Sequence, residues 1–441
     1  MTRETVLMPI FALALTGIGG AFLAVYIGKR LGRFLNFRSL LILNYILVSN
    51  VSGIVHLMEP GGASRGYFDV LSARSSDVVE SATISSLLGL AAVCVGCMSG
   101  ITTVSSLVPQ SRPGEWLLSS ERKSLWLLVA VLLPLSVFSI IQIQQYVQSL
   151  DASRIIQVAD GYARYSFMSG WFVWAATFTA ICLVSGRLGT NRLFVLCVSS
   201  GALIAIVASL AWSGGRSVIV VMTFPLALVL LPKLRGVRWL AIPAATAAAA
   251  SYIIAVTETR TVGAASQLWT WLDWEWGRFS MLGFADQYAE EHGFLWGETF
   301  VAGVTNILFG SLRLIGIGIS NPPLRSSMNI TGEELLNSST AIYIVPGLGA
   351  ELFMSFGVLG VVLGFYLLGR LVSFVDRKYI ETSGAIPRIL WAYIGTLLVF
   401  RTIAADSGSI YSYVLYTGFP LLIIAVFSSR IRSRESIPRI V

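Results

Sequence analysis

Charge is what this chain has least of. Only 12% of its 441 residues are Asp, Glu, Lys or Arg, about half the ~25% usual in soluble proteins. Lysine is confined to Lys29, Lys123, Lys233 and Lys378. A soluble globular protein is excluded: 55% of the residues are hydrophobic and the mean hydropathy is +0.75, which defines a polytopic, all-helical membrane protein. Histidine occurs at two positions, and the four cysteines (Cys94, Cys97, Cys182, Cys197) all lie inside apolar runs, so no disulfide framework is indicated. The C-x-x-C spacing of Cys94 and Cys97 has no second pair and no histidine nearby, and reads as small packing residues. There is no phosphate-binding P-loop, no G-x-S-x-G and no cluster of metal ligands, so the sequence calls for no metal and no cofactor. The net charge of +8 is read as membrane topology and not as a nucleic-acid signature.

Long apolar runs are what the sequence has most of. A helical span needs about 20 apolar residues. That ruler predicts about 11 transmembrane helices, near 6–27, 39–58, 82–108, 125–147, 167–185, 193–212, 217–232, 239–257, 341–370, 387–404 and 409–428. The first run has its basic cluster (Lys29, Arg30, Arg33) behind it, as in a retained helix with its N-terminus outside. Alternating from there puts 20 of the 31 basic residues, every lysine among them, on the cytoplasmic side. The remaining 11 bases, all arginine, and 18 of the 23 acids fall outside.

The predicted organisation is an N-terminal bundle over 1–257 with a periplasmic N-terminus, a long periplasmic segment over 258–340, and a C-terminal bundle over 341–441 ending in the cytoplasm. The long segment has apolar stretches near 264–284 and 300–318, read as short amphipathic helices across the outer face, then a polar loop over 319–340.

Outside arginines are disfavoured and therefore informative. Arg216, in "WSGGRS", sits at the outer end of a predicted helical hairpin, where it either snorkels to headgroups or binds an anion. A guanidinium offers two-pronged hydrogen bonds to phosphate, and Gly214 and Gly215 let backbone approach the same ligand. Arg260, Arg278 and Arg401 lie outside as well and join Arg216 as candidate pyrophosphate-binding residues. In "LWTWLDWEWGRF", Trp271, Trp274 and Asp273 suit either an interfacial aromatic belt or sugar stacking with a carboxylate on the hydroxyls, and Tyr343 is a further glycan-binding candidate. Glu351, early in an apolar run, is either a charge partner for an arginine or a functional carboxylate. Gly357, Gly360 and Gly364 recur at a spacing that suits helix packing. His292 is the histidine outside the spans and a second catalytic candidate.

Three stretches, "SGGRS" at 213–217, "GFLWGETFVAG" at 293–303 and "TAIYIVPGLGAELFMSFGVLG" at 340–360, resemble the O-antigen polymerase (Wzy) family. The resemblance implies an enzyme of the bacterial inner membrane working on its periplasmic face. Such polymerases join undecaprenyl-pyrophosphate-linked oligosaccharide repeat units, passing the growing glycan to the non-reducing end of a new unit. It implies a metal-independent glycosyltransferase with Glu351 or His292 as general base and a chain-length-regulating co-polymerase as partner. Two alternatives remain beside it: an O-antigen ligase, and a lipid-linked oligosaccharide transporter.

Overall fold

The computed structural model describes residues 3–33, 35–58, 76–100, 119–150, 278–314, 324–336, 345–382 and 385–426, with isolated positions between 165 and 228. Among these residues the chain is all-helical, without a strand. Five helices are long and apolar enough to cross a membrane: Val6–Arg30, Phe37–Met58, Asp77–Met98, Leu125–Gln142 and Gly347–Glu381. A sixth follows if Ser407–Thr417 and Phe419–Val426 count as one bent span. The spans expected between 167 and 257 lie outside the described residues, apart from those isolated positions.

The chain divides into two compact units, one of Met1–Ser106, Arg260–Arg377 and Leu397–Ser412, the other of Leu107–Thr259, Lys378–Thr396 and Tyr413–Val441. In the first unit, α1 (Arg3–Arg30) precedes α2 (Phe37–Tyr45), which continues through a π turn at Ile46–Val51 into α3 (Ser52–Met58). The side chain of Asn36 caps α2 by accepting the Ser39 N–H at 2.8 Å. α4 (Ser76–Met98) starts earlier and stops earlier than the expected 82–108. Its first turn tolerates Asp77 because a carboxylate there faces the positive end of the helix dipole.

One end of this unit is tied by Asp376, which is 1% exposed. Its Oδ1 accepts the Phe37 N–H at 3.2 Å, and its Oδ2 faces Arg33 Nη2 at 3.2 Å and Arg38 Nε at 3.7 Å. Arg38 is itself buried and donates to the Cys97 carbonyl at 3.1 Å. Charges hold inside an apolar bundle only when paired and hydrogen-bonded in this way. A polar seam then stitches the helices together. The Ser49 and Ser86 hydroxyls meet at 2.7 Å, Tyr45 donates to the Ser86 carbonyl at 3.1 Å, and Asn50 donates to the Leu13 carbonyl at 3.0 Å.

The stretch expected to lie across the surface behaves differently. α6 (Phe279–His292) buries Phe279, Leu282 and Phe284 and packs against α3 and α4, with Phe279 and Leu282 joining Leu13, Leu57, Val78, Val79 and Ala82 in one core. Its first seven residues, Phe-Ser-Met-Leu-Gly-Phe-Ala, have no charged side chain to turn to water. α7 (Glu298–Leu314) follows, and then α8 (Ser327–Leu336), a helix where a polar loop was expected. The Ser326 hydroxyl accepts the Asn329 N–H at 3.3 Å, a local cap that lets this polar sequence start a helix.

The expected span at 341–370 falls on a segment long and apolar enough to cross a membrane, but one that folds back on itself. α9 (Gly347–Glu381) is broken at Gly357, whose φ of 66° and ψ of −157° are open to glycine and strained for other residues. Limb 347–356 turns back on limb 358–381, so that a Cβ on Gly349 would lie 3.4 Å from Phe365, 16 positions later. A straight helix would separate those residues by about 24 Å. Gly360 and Gly364 let Leu352 of the first limb settle on the second. Farther along, a Cβ on Gly369 would lie 2.7 Å from the Val93 carbonyl, so α9 crosses α4 at backbone contact distance.

In the second unit, α5 (Ser119–Leu150) is the long apolar helix and α10 (Ala385–Thr396) carries Tyr393. Buried Trp174 stacks edge-on against Tyr393 at 5.7 Å and donates to the Thr417 carbonyl at 3.1 Å. Tyr393 donates to the Tyr413 carbonyl at 2.8 Å. These indole and phenol donors satisfy carbonyls at the two ends of the π turn Tyr413–Thr417.

Candidate functional site

The site is built where helices break. α10 runs into a π turn at Leu397–Arg401, and the chain turns through 402–406 before α11 (Ser407–Ser412). Arg278, just ahead of α6, reaches this turn from the other side: its Nε donates to the Ala404 carbonyl at 3.0 Å. Its own N–H is held by the Val48 carbonyl at 3.0 Å, within the π turn after α2. A widened turn leaves that carbonyl open to an outside donor. Gly347 lies against the same place, since a Cβ there would fall 2.9 Å from the Ile403 carbonyl and 3.0 Å from Arg278 Cγ. A cavity of about 10 Å³, room for one water, is lined by Tyr45, Ser49, Arg278, Gly349 and Ile403.

Glu351 is fully buried and sits on the first limb of α9. Its Oε2 accepts the Ser407 N–H and its Oε1 the Ser407 hydroxyl, each at 2.7 Å. The Thr299 hydroxyl bears on the same carboxylate. Next to Ser407 is Asp406, 1% exposed, whose Oδ1 accepts the Ser409 N–H at 3.1 Å and whose Oδ2 accepts from Ser327 at 3.5 Å. Burial pushes the Asp406 carboxyl above its ordinary range, opposed by the Ser409 hydrogen bonds and by the charge of Arg401. Gly303 allows the close approach of α7, as a Cβ there would lie 3.0 Å from Ser407 Oγ.

Arg278, Arg401 and Glu351 therefore converge on the turn 402–407, together with Asp406 and Ser407. In the sequence Asp406 is only the acid that closely follows Arg401, and Ser407 carries no signal of its own. The signal present was "RTIAADSGS" itself, an arginine and an aspartate bracketing small residues that cannot continue an apolar span. His292 lies elsewhere. It ends α6, is exposed, and stacks on Tyr288 at 4.5 Å. The length of α6 separates it from Arg278 by about 20 Å. Arg216, Arg260, Trp271, Asp273, Trp274 and Tyr343 lie outside the described residues. The described residues contain no group of three or more His, Cys, Asp or Glu able to hold a metal ion.

One further residue stands out. Trp296 has φ of 48°, the one positive φ outside glycine among the described residues, and is 77% exposed. A bulky residue there costs about 1–3 kcal/mol. Two backbone hydrogen bonds maintain it: Leu295 N–H to the Met354 carbonyl at 3.0 Å and Trp296 N–H to the Ser355 carbonyl at 3.1 Å. The sequence shows only a tryptophan between Leu295 and Gly297, and a tryptophan in a loop is unremarkable until its backbone is seen.

No family model, curated protein or solved structure matches the chain. What the fold and site define is a class: an all-helical membrane protein with five to six apolar helices long enough to span, among the described residues, and a buried carboxylate and arginine cluster at broken helices.

Proposed function

We propose that the chain is a membrane glycosyltransferase that polymerises undecaprenyl-pyrophosphate-linked oligosaccharide repeat units. It would work at the periplasmic face of the bacterial inner membrane, with about 11 spans in all and with a chain-length-regulating co-polymerase as partner. The observation that carries the reading is the hydrogen bond from Arg278 to Ala404, which sets one arginine on the turn that bears Arg401 and adjoins the Glu351–Ser407 pair. In the reaction the bond between the donor sugar C1 and the pyrophosphate breaks, and its electrons leave with undecaprenyl pyrophosphate. An acceptor hydroxyl attacks C1 and yields its proton to a carboxylate. Guanidinium groups fixed before reaction stabilise the charge on the leaving pyrophosphate more than the ground state, which is what lowers the barrier. Arg278 and Arg401 take that role, with Arg216 and Arg260 as further partners. Glu351 takes the proton, because His292 lies a helix length away.

The test uses the full chain in nanodiscs with lipid-linked repeat units and no nucleotide sugar. Wild type is expected to give a ladder of products, and Arg278→Ala to lower its rate by about 100-fold or more while the protein stays folded. The fold-back at Gly357 within the apolar segment Gly347–Glu381, and the π turns, favour a second reading, a lipid-linked oligosaccharide transporter with broken helices around its site. No ladder from folded wild type, with movement of labelled lipid-linked glycan across vesicles, would replace the first reading by the second.

A further inference from the structure

We propose that Trp296 is a sugar-stacking platform that positions a ring of the glycan above the Glu351 site. The inference rests on the glycan-handling reading given above and names the residue that would grip the sugar. Trp296 is fixed rather than loose. Its backbone is pinned to limb 347–356 of α9 by the bonds to Met354 and Ser355. Its indole is braced edge-on by Phe294 at 6.2 Å and by Phe356 at 6.5 Å, leaving the ring 77% exposed. Glu351 is one helical turn from Ser355, and Ser355 Oγ meets Thr299 Oγ1, which bears on Glu351. A ring held on Trp296 is thus coupled through one turn of helix to the buried carboxylate.

A tryptophan that merely anchors a protein in lipid headgroups needs neither a strained backbone nor a braced ring. The local charge also opposes that role. From Phe279 to Leu312 there are four acids, Asp286, Glu290, Glu291 and Glu298, and no lysine or arginine. Arg325 bears on Glu298 and Tyr288 but is itself paired with Glu333, so acids outnumber bases here and anionic headgroups find little attraction. Such a surface suits a neutral, hydroxyl-rich ligand, whose apolar ring face lies on indole while carboxylates accept from its hydroxyls.

The experiment is saturation-transfer NMR on the full chain in nanodiscs. The probe is a mixture of surface-oligosaccharide repeat units freed from their lipid by mild acid. Wild type is expected to transfer saturation to sugar ring protons, Trp296→Ala to bind about tenfold more weakly, and Trp296→Phe to stay within about threefold. Equal binding by Trp296→Ala, or no transfer to wild type, overturns the proposal. So does quenching by brominated phospholipid of the emission that wild type has and Trp296→Phe lacks, which places the indole in the bilayer. If wild type forms no polymer ladder yet loses sugar binding in Trp296→Ala, the polymerase reading falls and the platform stands.

Discussion

Glu351 accepts two hydrogen bonds at 2.7 Å from one residue, Ser407, one from the backbone and one from the hydroxyl. The carboxylate thereby closes the first turn of α11 from a different helix. It serves structure whatever chemistry it also performs. Replacing it with alanine leaves a buried N–H and a buried hydroxyl without acceptors. The expected loss is about 2–5 kcal/mol, read as a fall of several degrees in thermal unfolding of the purified protein. Glu351→Gln keeps a carbonyl acceptor and is expected to lose less than half as much. If Glu351→Gln is as stable as wild type yet makes no polymer, the carboxylate is needed for proton transfer. If it makes polymer at the wild-type rate, another group takes the proton.

Gly357 is expected to resist substitution. A Cβ there would lie 3.1 Å from Phe294, and the φ of 66° is strained for an L side chain. Gly357→Ala should cost about 1–3 kcal/mol. It should also loosen the loop whose N–H groups bond to Met354 and Ser355. Hydrogen exchange at Leu295 and Trp296 reads that loosening directly, and unchanged protection would show that the fold-back does not depend on this glycine.

Asp376 joins the ends of several helices, and its loss should be felt globally. Asp376→Asn leaves Arg38 buried without its counter-charge, at an expected cost of about 3–5 kcal/mol. Pairing it with Arg38→Met removes the orphaned charge and should recover part of that stability. A double variant no better than the single one would show that the bonds Arg38 donates to the Cys97 and Ser373 carbonyls matter as much as the ion pair.

Asp406 predicts a pH dependence with a definite sign. Its folded carboxyl holds the proton more tightly than an unfolded one, so the folded state binds more protons than the unfolded state above the ordinary carboxylate pKa of about 3.9. Stability is therefore expected to fall as pH rises from that value through the raised one. Asp406→Asn removes this titration. Unfolding temperatures measured from mildly acidic to neutral pH should decline more steeply for wild type than for Asp406→Asn, and parallel curves would count against the buried carboxyl.

The reading of the chain as a helical membrane protein needed only its hydropathy, because burial in lipid requires apolar side chains in runs of span length whatever the partners. Glu351, Arg278 and Arg401 stood out for a similarly local reason: charge is costly among such runs and therefore visible. The sequence did not show that Arg278 and Arg401 share a turn, since 122 positions separate them. It also did not reveal that Gly347–Glu381 folds back, because the limbs on either side of Gly357 are both apolar and a single glycine does not announce its φ.

Composition and periodicity thus decided the solvent, the helical class and the short list of charged residues, since each follows from the free energy of placing one side chain in lipid. Which of those residues meet was decided by three features that depend on contacts remote in sequence. These are the turn at Gly357, the π turn that presents the Val48 carbonyl to Arg278, and the clasp of Ser407 by Glu351. A backbone leaves the regular helix only where a distant partner satisfies the groups it frees, and that partner is known only once the chain is folded.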